Sequence, residues 1–303
     1  MLPELTTNGF HIFQPFSWVL AEGEDAHEFL QSQFSNDLSN LETGDSCYGL
    51  WLDQKGKVHG DSQVIRAGEE RFYLFSYFSK AEGLVGKLEK FIVADDVELA
   101  DLGSEMAGVS LLGSAVNGFA ELESGELERL GLHTIPGRRS SAPSLDIILP
   151  KEHLQQLLEW IKQLGALSEL DASDLEAERI LSRIPRIPED IGPNELPQEG
   201  RLENDGVSFT KGCYLGQEVM SRLHSMGQVR RSLQLIRSAS EIPLGATLLL
   251  EGKKVGVAKT SFGYAGQYFG VALISNTVPE QSTLQLGDSS SEPEVVLISS
   301  SDG

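Results

Sequence analysis

The chain has 303 residues, 40% hydrophobic and 23% charged, a soluble globular composition with length for about two or three domains that each bury a core. Its formal net charge of -21 is the opposite of what wraps a phosphate backbone, so no direct nucleic-acid partner is expected. No run of about eighteen apolar residues occurs and the opening Met1-Leu2-Pro3-Glu4-Leu5 lacks a basic or apolar leader region, so no membrane partner and a cytoplasmic location are expected.

Asp25 and Glu28 have capping-box spacing, and Ala26, Phe29, Leu30, Gln33 and Phe34 recur at helical intervals, which predicts an amphipathic helix from Asp25 to Leu38. From Ser46 to Tyr77 the period falls to two, through Leu50, Leu52, Val58, Val64, Phe72 and Leu74. An antiparallel meander is expected there, turning at Gln54-Lys55-Gly56 and at Ala67-Gly68. Next come a helix over Ser79 to Phe91, strands around Val97, Val109 to Leu112 and Leu145 to Leu149, and a helix over Lys151 to Leu164 closed by Gly165. Ser173 and Glu176 repeat the capping-box spacing before a short helix that should reach Arg183 and stop at Pro185. Pro185, Pro188, Pro193 and Pro197 mark Ile184 to Arg201 as an ordered loop. Beyond Arg230, short strands at Leu233 to Arg237, Thr247 to Leu250, Lys254 to Ser261 and Phe269 to Ile274 read as a small β-barrel, with Gly263 and Gly266 in a turn. The serine-rich tail from Asp288 is expected to fray around a last strand at Glu294 to Ile298. Strands interleaved with few helices in antiparallel order make the class α+β.

Chemistry centres on residues 210 to 222, which hold one of only two cysteines. The ammonium of Lys211 can stabilise a thiolate on Cys213, since a nearby cation favours the charged form. Gly212 and Gly216 allow tight turning, and from Gln217 the run is helix-compatible, with Glu218 and Arg222 four apart on one face. Cys213 can be structural, a reactive or redox-sensing thiol, or a shared metal ligand. Cys47, in a strand-like run without a cationic neighbour, reads as an inert buried thiol. Two cysteines cannot complete a four-thiolate cluster alone, so an iron-sulfur centre would be shared with a partner or acted on from outside. The six histidines show no zinc spacing, and His224 can serve proton transfer only if its loop folds back.

The string Lys211-Gly212-Cys213-Tyr214-x-Gly216-Gln217-Glu218, followed by Arg222, Gly227, Arg230 and Arg231, resembles the signature of the YgfZ family. Those are folate-binding proteins related in fold to the glycine cleavage T-protein, an aminomethyltransferase, and implicated in iron-sulfur cluster assembly or repair and in tRNA modification. The resemblance continues through Phe29-Leu30-Gln31-x-Gln33, Asn36-Asp37-Leu38, Asp53-x-Lys55-Gly56-Lys57, Glu178-Arg179-Ile180 and Leu196-Pro197-Gln198-Glu199, and so covers nearly the whole chain. It implies a T-protein-like three-domain ring: a discontinuous first domain of residues 1-45 plus 168-226 carrying the motif, a ferredoxin-like antiparallel sheet domain of 46-167, and a C-terminal β-barrel of 227-303.

The same resemblance implies tetrahydrofolate as cofactor in a central channel. Phe16 and Trp18 would form its aromatic wall beside Tyr214, Gly216, Gln217, Glu218 and Arg222, with Arg230 or Arg231 as further cations for its tail, and Lys211 and Cys213 as the reactive pair. Leu175 and Leu181 depart from the pattern, standing where many bacterial relatives carry an aromatic and where the T-protein carries a pterin-binding acid. The leading expectation is a maintenance factor acting on iron-sulfur client or assembly proteins, with an indirect effect on tRNA modification. The alternatives are a tetrahydrofolate-dependent aminomethyltransferase and a scaffold that binds no small molecule.

Overall fold

The computed structural model describes residues 8–120, 130–165, 167–287 and 293–298. In chain order they form β1 (Gly9–Phe13), β2 (Ser17–Glu22), α1 (Ala26–Gln33), β3 (Ser46–Leu52), β4 (Val58–Arg66), β5 (Arg71–Ser76), α2 (Ala81–Leu88), β6 (Glu98–Asp101), β7 (Met106–Leu112) and α3 (Ser114–Ala120). Then follow β8 (His133–Pro136), β9 (Ser144–Pro150), α4 (Leu154–Ile161), β10 (Ser168–Glu169), α5 (Ala172–Leu181), α6 (Glu203–Gly206) and α7 (Gln217–Met226). The C-terminal part holds β11 (Arg231–Ser238), β12 (Thr247–Leu250), β13 (Lys253–Tyr264), β14 (Gln267–Ser275), β15 (Thr283–Leu286) and β16 (Glu294–Leu297). The class is α+β, as expected. One antiparallel sheet has the order β3-β4-β5-β2-β6, a second the order β10-β1-β7-β9-β8 with only β10 and β1 parallel, and β11 to β16 close a barrel.

The meander forms where the period-two pattern places it, and its first turn is set by Asp53, whose Oδ1 accepts from the backbone N–H of Lys55 and Lys57 at 2.8 and 2.9 Å. Helix α1 is shorter than expected. It stops at Gln33 because Phe34 is extended and pairs with Trp51, and Asp25 does not cap it, its Oδ2 instead accepting from Asp96 N. The capping box of α5 lies two residues earlier than predicted, on Asp171 and Asp174. Glu176 is taken by Arg179, and the helix ends at Leu181, with Arg183 turning to a φ of +56°. The turn at Gly263 to Gly266 is the β13–β14 hairpin. Of the tail expected to fray, residues 288–292 and 299–303 lie outside the described residues.

Strands β1, β2, β8, β10 and β15 have no counterpart in the pattern reading. The run Ser17-Trp18-Val19-Leu20-Ala21 does not alternate because both faces of β2 are covered. Val19 and Ala21 pack under α1 and α2, while Trp18 packs against Ile135 and Ile148 of the second sheet. Sheet membership also cuts across the expected segments. β2 pairs with β5 and β6, so residues before 45 share a sheet with residues 46–101, and β1 pairs with β7. A further core at the junction joins Leu50, Leu52 and Val58 of the first sheet to Ile180, Ile187 and Ile191 and to Leu233 and Leu273 of the barrel.

Arg179 fastens that junction. Fully buried, it donates to Glu176, to Asp190 at 2.8 Å, to Ile184 O and to Thr260 Oγ1, so α5, the proline loop and β13 share one guanidinium. Gly216 closes the other side. It sits at φ +88° before α7, and a Cβ there would lie 2.7 Å from Asp53 O in the β3–β4 turn. Gly216→Ala should therefore lower stability by about 1–3 kcal/mol through the left-handed conformation and the clash together, read as a lower urea midpoint with an unchanged slope.

Candidate functional site

The motif loop connects α6 to α7 and docks on the end of α1, with Leu215 N donating to Ser32 O and Ser208 N to Ser35 O. Lys211 is only 7% exposed, and its Nζ lies 2.7 Å from Gln31 O, 3.1 Å from Gln31 Oε1, 2.9 Å from Phe34 O and 2.7 Å from Asn36 O. The three backbone carbonyls lie in and just beyond the last turn of α1, where helical donors run out and the carbonyls carry partial negative charge. The ammonium is therefore a cap. The thiol on which its charge acts is Cys47 on β3, and burial outweighs that help, pushing Cys47 up to about 11. Burial likewise pulls Lys211 down to about 8, with Asp37 pulling the other way.

Cys213 is exposed to solvent. Lys211 and Cys213, expected as a reactive pair, thus lie on opposite sides of the loop surface, one buried in a carbonyl cage and the other facing water. Gln217 Nε2 ties the loop to itself through Lys211 O and Gly212 O, both at 3.3 Å. Tyr214 is buried beside Lys211, 5.4 Å from Nζ to ring centroid, with its hydroxyl unpartnered and its pKa raised by burial to about 12. Glu218 and Arg222 are both exposed, and among the described residues no ion pair joins them.

Phe16 and Trp18 separate. Trp18 is 1% exposed and stacks on Tyr73 at 4.7 Å in the seam between the sheets, so it can offer no face to a ligand. Phe16 is 50% exposed and lines a cavity of 860 Å³ between α2, the β3–β4 turn and Pro188. Phe78 and Phe91 add aromatic walls, and Lys80, Lys87 and Lys90 converge on it. Among the described residues none of these lysines has an ion-pair partner, and burial lowers the pKa of Lys87. The motif does not line this cavity but buttresses it, since Gly216 packs on the turn whose Asp53 does. Leu175 packs with Leu112 and Leu170, and Leu181 lies against the junction core. Arg230 and Arg231 line a different cavity beside the barrel.

Behind the first cavity lies a buried polar seam that sequence reasoning missed. Ser79 lines the cavity and donates to Asp61 Oδ1 at 3.1 Å, and Ser76 donates to the same oxygen at 3.0 Å. Tyr48 hydrogen-bonds Asp61 Oδ2, and the Arg138 guanidinium lies 3.3 Å over the Tyr48 ring. Deeper, Asp146 accepts from Tyr77 and Ser110, with Arg139 beside them. Burial pushes both carboxyls above the usual carboxylate range, which favours their protonated forms. The available signal was an acid inside an apolar strand run, plainest at Leu145-Asp146-Ile147-Ile148.

Three expectations follow. Alkylation at about pH 7.5 should label Cys213 and spare Cys47, as read by peptide mass, because a thiol held near 11 presents almost no thiolate. Lys211→Met should cost about 2–3 kcal/mol in denaturant unfolding, since backbone carbonyls lose their donor. Between about pH 8 and the free-lysine value of about 10.4, the unfolded chain keeps a proton that the folded chain has released, so wild-type stability gains from Lys211 as pH rises through that window. The Met variant should lack this gain.

Comparison with known proteins gives the setting. The model of the GCVT N-terminal domain matches residues 13–121. A protein named tRNA-modifying protein YgfZ from Colwellia psychrerythraea is 25% identical over 249 residues, 80% of this chain and 75% of that one. Its namesake from Photobacterium profundum is 26% identical over 286 residues, 90% of this chain and 84% of the other, and one from Escherichia coli is 27% identical over 236. The crystal structure of glycine cleavage system aminomethyltransferase T from Bartonella henselae superposes with a TM-score of 0.79 at 19% identity, over 98% of this chain and 87% of that one, which shows the fold. The chain is accordingly similar in sequence to the YgfZ proteins along most of its length and has the fold of the aminomethyltransferase.

Proposed function

We propose that the chain is a cytoplasmic, folate-binding maintenance factor that supports assembly or repair of iron-sulfur clusters in client enzymes, and acts on tRNA modification through those clients. The observation that carries this reading is the pairing of a solvent-facing thiol with a rigidly held loop: Cys213 is exposed while Lys211 and Gln217 fix the backbone on either side. A thiol so presented can reach iron or sulfur on another protein. The relatives' name, tRNA-modifying protein, fits the indirect link, because a net charge of -21 disfavours RNA itself as the contact.

The lysine-lined cavity, whose wall also carries Asp53, Glu82 and Glu189, offers groups that support this reading. Its volume suits a ligand the size of tetrahydrofolate, Phe16 and Phe78 would flank the flat pterin, Ser79 offers a polar edge, and Lys80, Lys87 and Lys90 would hold the tail carboxylates. When bound, tetrahydrofolate supplies an amine able to carry a one-carbon unit. The chain's own part is to orient the ligand and exclude water, with Asp61 behind Ser79 as a group able to hold a proton.

That carboxyl also favours a second reading, an aminomethyltransferase that moves a one-carbon unit to tetrahydrofolate, since such transfer needs an acid near the folate amine. Two assays separate the two. Recovery of an oxidant-damaged iron-sulfur client should be accelerated by the wild type and by Cys47→Ala, and not by Cys213→Ala. Glycine-derived methylene transfer that is abolished by Asp61→Asn, with client recovery unaffected by Cys213→Ala, would establish the transferase reading instead.

A further inference from the structure

Two adjoining cavities of 590 and 350 Å³ lie between α7, the Leu196 to Glu203 segment and the barrel, and share Leu223, Gln228 and Val229 in their walls. None of the residues around Phe16 or α2 borders them, so they are separate from the lysine-lined cavity.

Their two ends have opposite chemistry. In the smaller cavity Gln198 Oε1 and Glu203 Oε2 are buried and make no hydrogen bond. Gln198 places its Nε2 3.5 Å from Met220 Sδ, which leaves the oxygen as the open acceptor. Beside them Phe209 stacks on His224 with centroids 3.9 Å apart. Buried acceptors without donors are costly, and a carboxylate next to aromatic faces is the environment that takes an ammonium. In the larger cavity Arg231 is already engaged by Glu195 and Glu199, at 3.1 and 2.6 Å. Arg230 and Lys254 are exposed and, among the described residues, form no ion pair. Leu196, Leu223, Val229, Val255 and Leu273 line the stretch between the ends.

We propose that the joined cavities bind a small amphipathic zwitterion, with its ammonium on Gln198 and Glu203, its apolar body along Leu223 and Val229, and its carboxylate at Arg230 and Lys254. Each end supplies what the structure leaves unmatched: a donor for two buried oxygens and an anion for two free cations. One charge of the ligand alone would satisfy only one end, so selectivity for both charges on one molecule is the signature of the site.

Calorimetry with ε-aminocaproate, caproate and hexylamine on the full chain tests this. The zwitterion should bind saturably and about tenfold more tightly than either singly charged analogue, as expected for one additional charge-assisted hydrogen bond. Glu203→Gln should remove the advantage over caproate and leave caproate binding unchanged, which also shows the variant is folded. Lys254→Ala should weaken ε-aminocaproate and caproate and leave hexylamine unchanged. Equal binding of all three compounds, no saturable binding of ε-aminocaproate, or its displacement by tetrahydrofolate would overturn the proposal. The last outcome would mean one shared site, and the others leave the folate reading untouched.

Discussion

A single ammonium surrounded by backbone carbonyls holds the site together. Burying the Lys211 charge is unfavourable by several kcal/mol, and it is offset because the last carbonyls of α1 have no other donor. The bond network caps the end of α1, pins the motif loop to it and sets where α7 begins. Gly216 then meets the β3–β4 turn, and that turn contributes Asp53 to the lysine-lined cavity. The position of Cys213, the start of α7 and one wall of the cavity all depend on this contact between residues 175 to 180 apart in sequence.

The structure separates the exposed thiol from the lysine-lined cavity. Cys213 faces water on a fixed loop, whereas the three convergent lysines sit around α2, far along the chain. On a protein with a net charge of -21, three lysines gathered with Asp53, Glu82 and Glu189 around one cavity bring local charge close to balance, so small anions meet less repulsion there than over the acidic surface. The polar seam behind it supplies carboxyls whose burial favours the protonated form.

Much of this was legible in the sequence. The meander, α4 and most barrel strands follow from apolar spacing and glycine placement, even though the meander's strands are covered on both faces. β2 was illegible because its run Ser17-Trp18-Val19-Leu20-Ala21 shows no alternation and no turn signal of its own, and Trp18 on it reads equally as ligand wall or core. The motif pointed to the right loop, yet spacing along the chain could not show that Lys211 turns inward to α1 while Cys213 turns out. Nor could composition show that Lys80, Lys87 and Lys90 converge, since on α2 and its flanks they read as ordinary surface charge. Asp61 and Asp146 announce themselves only as acids within strands, and their partners arrive from other elements.

The most direct test of this division is a calorimetric titration with tetrahydrofolate of the wild type, Lys87→Ala and Arg222→Ala. Lys87 belongs to the cavity wall, while Arg222 is an exposed residue of α7 outside it. Binding retained by Arg222→Ala and weakened about tenfold or more by Lys87→Ala is the outcome that follows from the lysine-lined cavity. Binding lost with Arg222→Ala and kept by Lys87→Ala would return the ligand to the motif helix and contradict it.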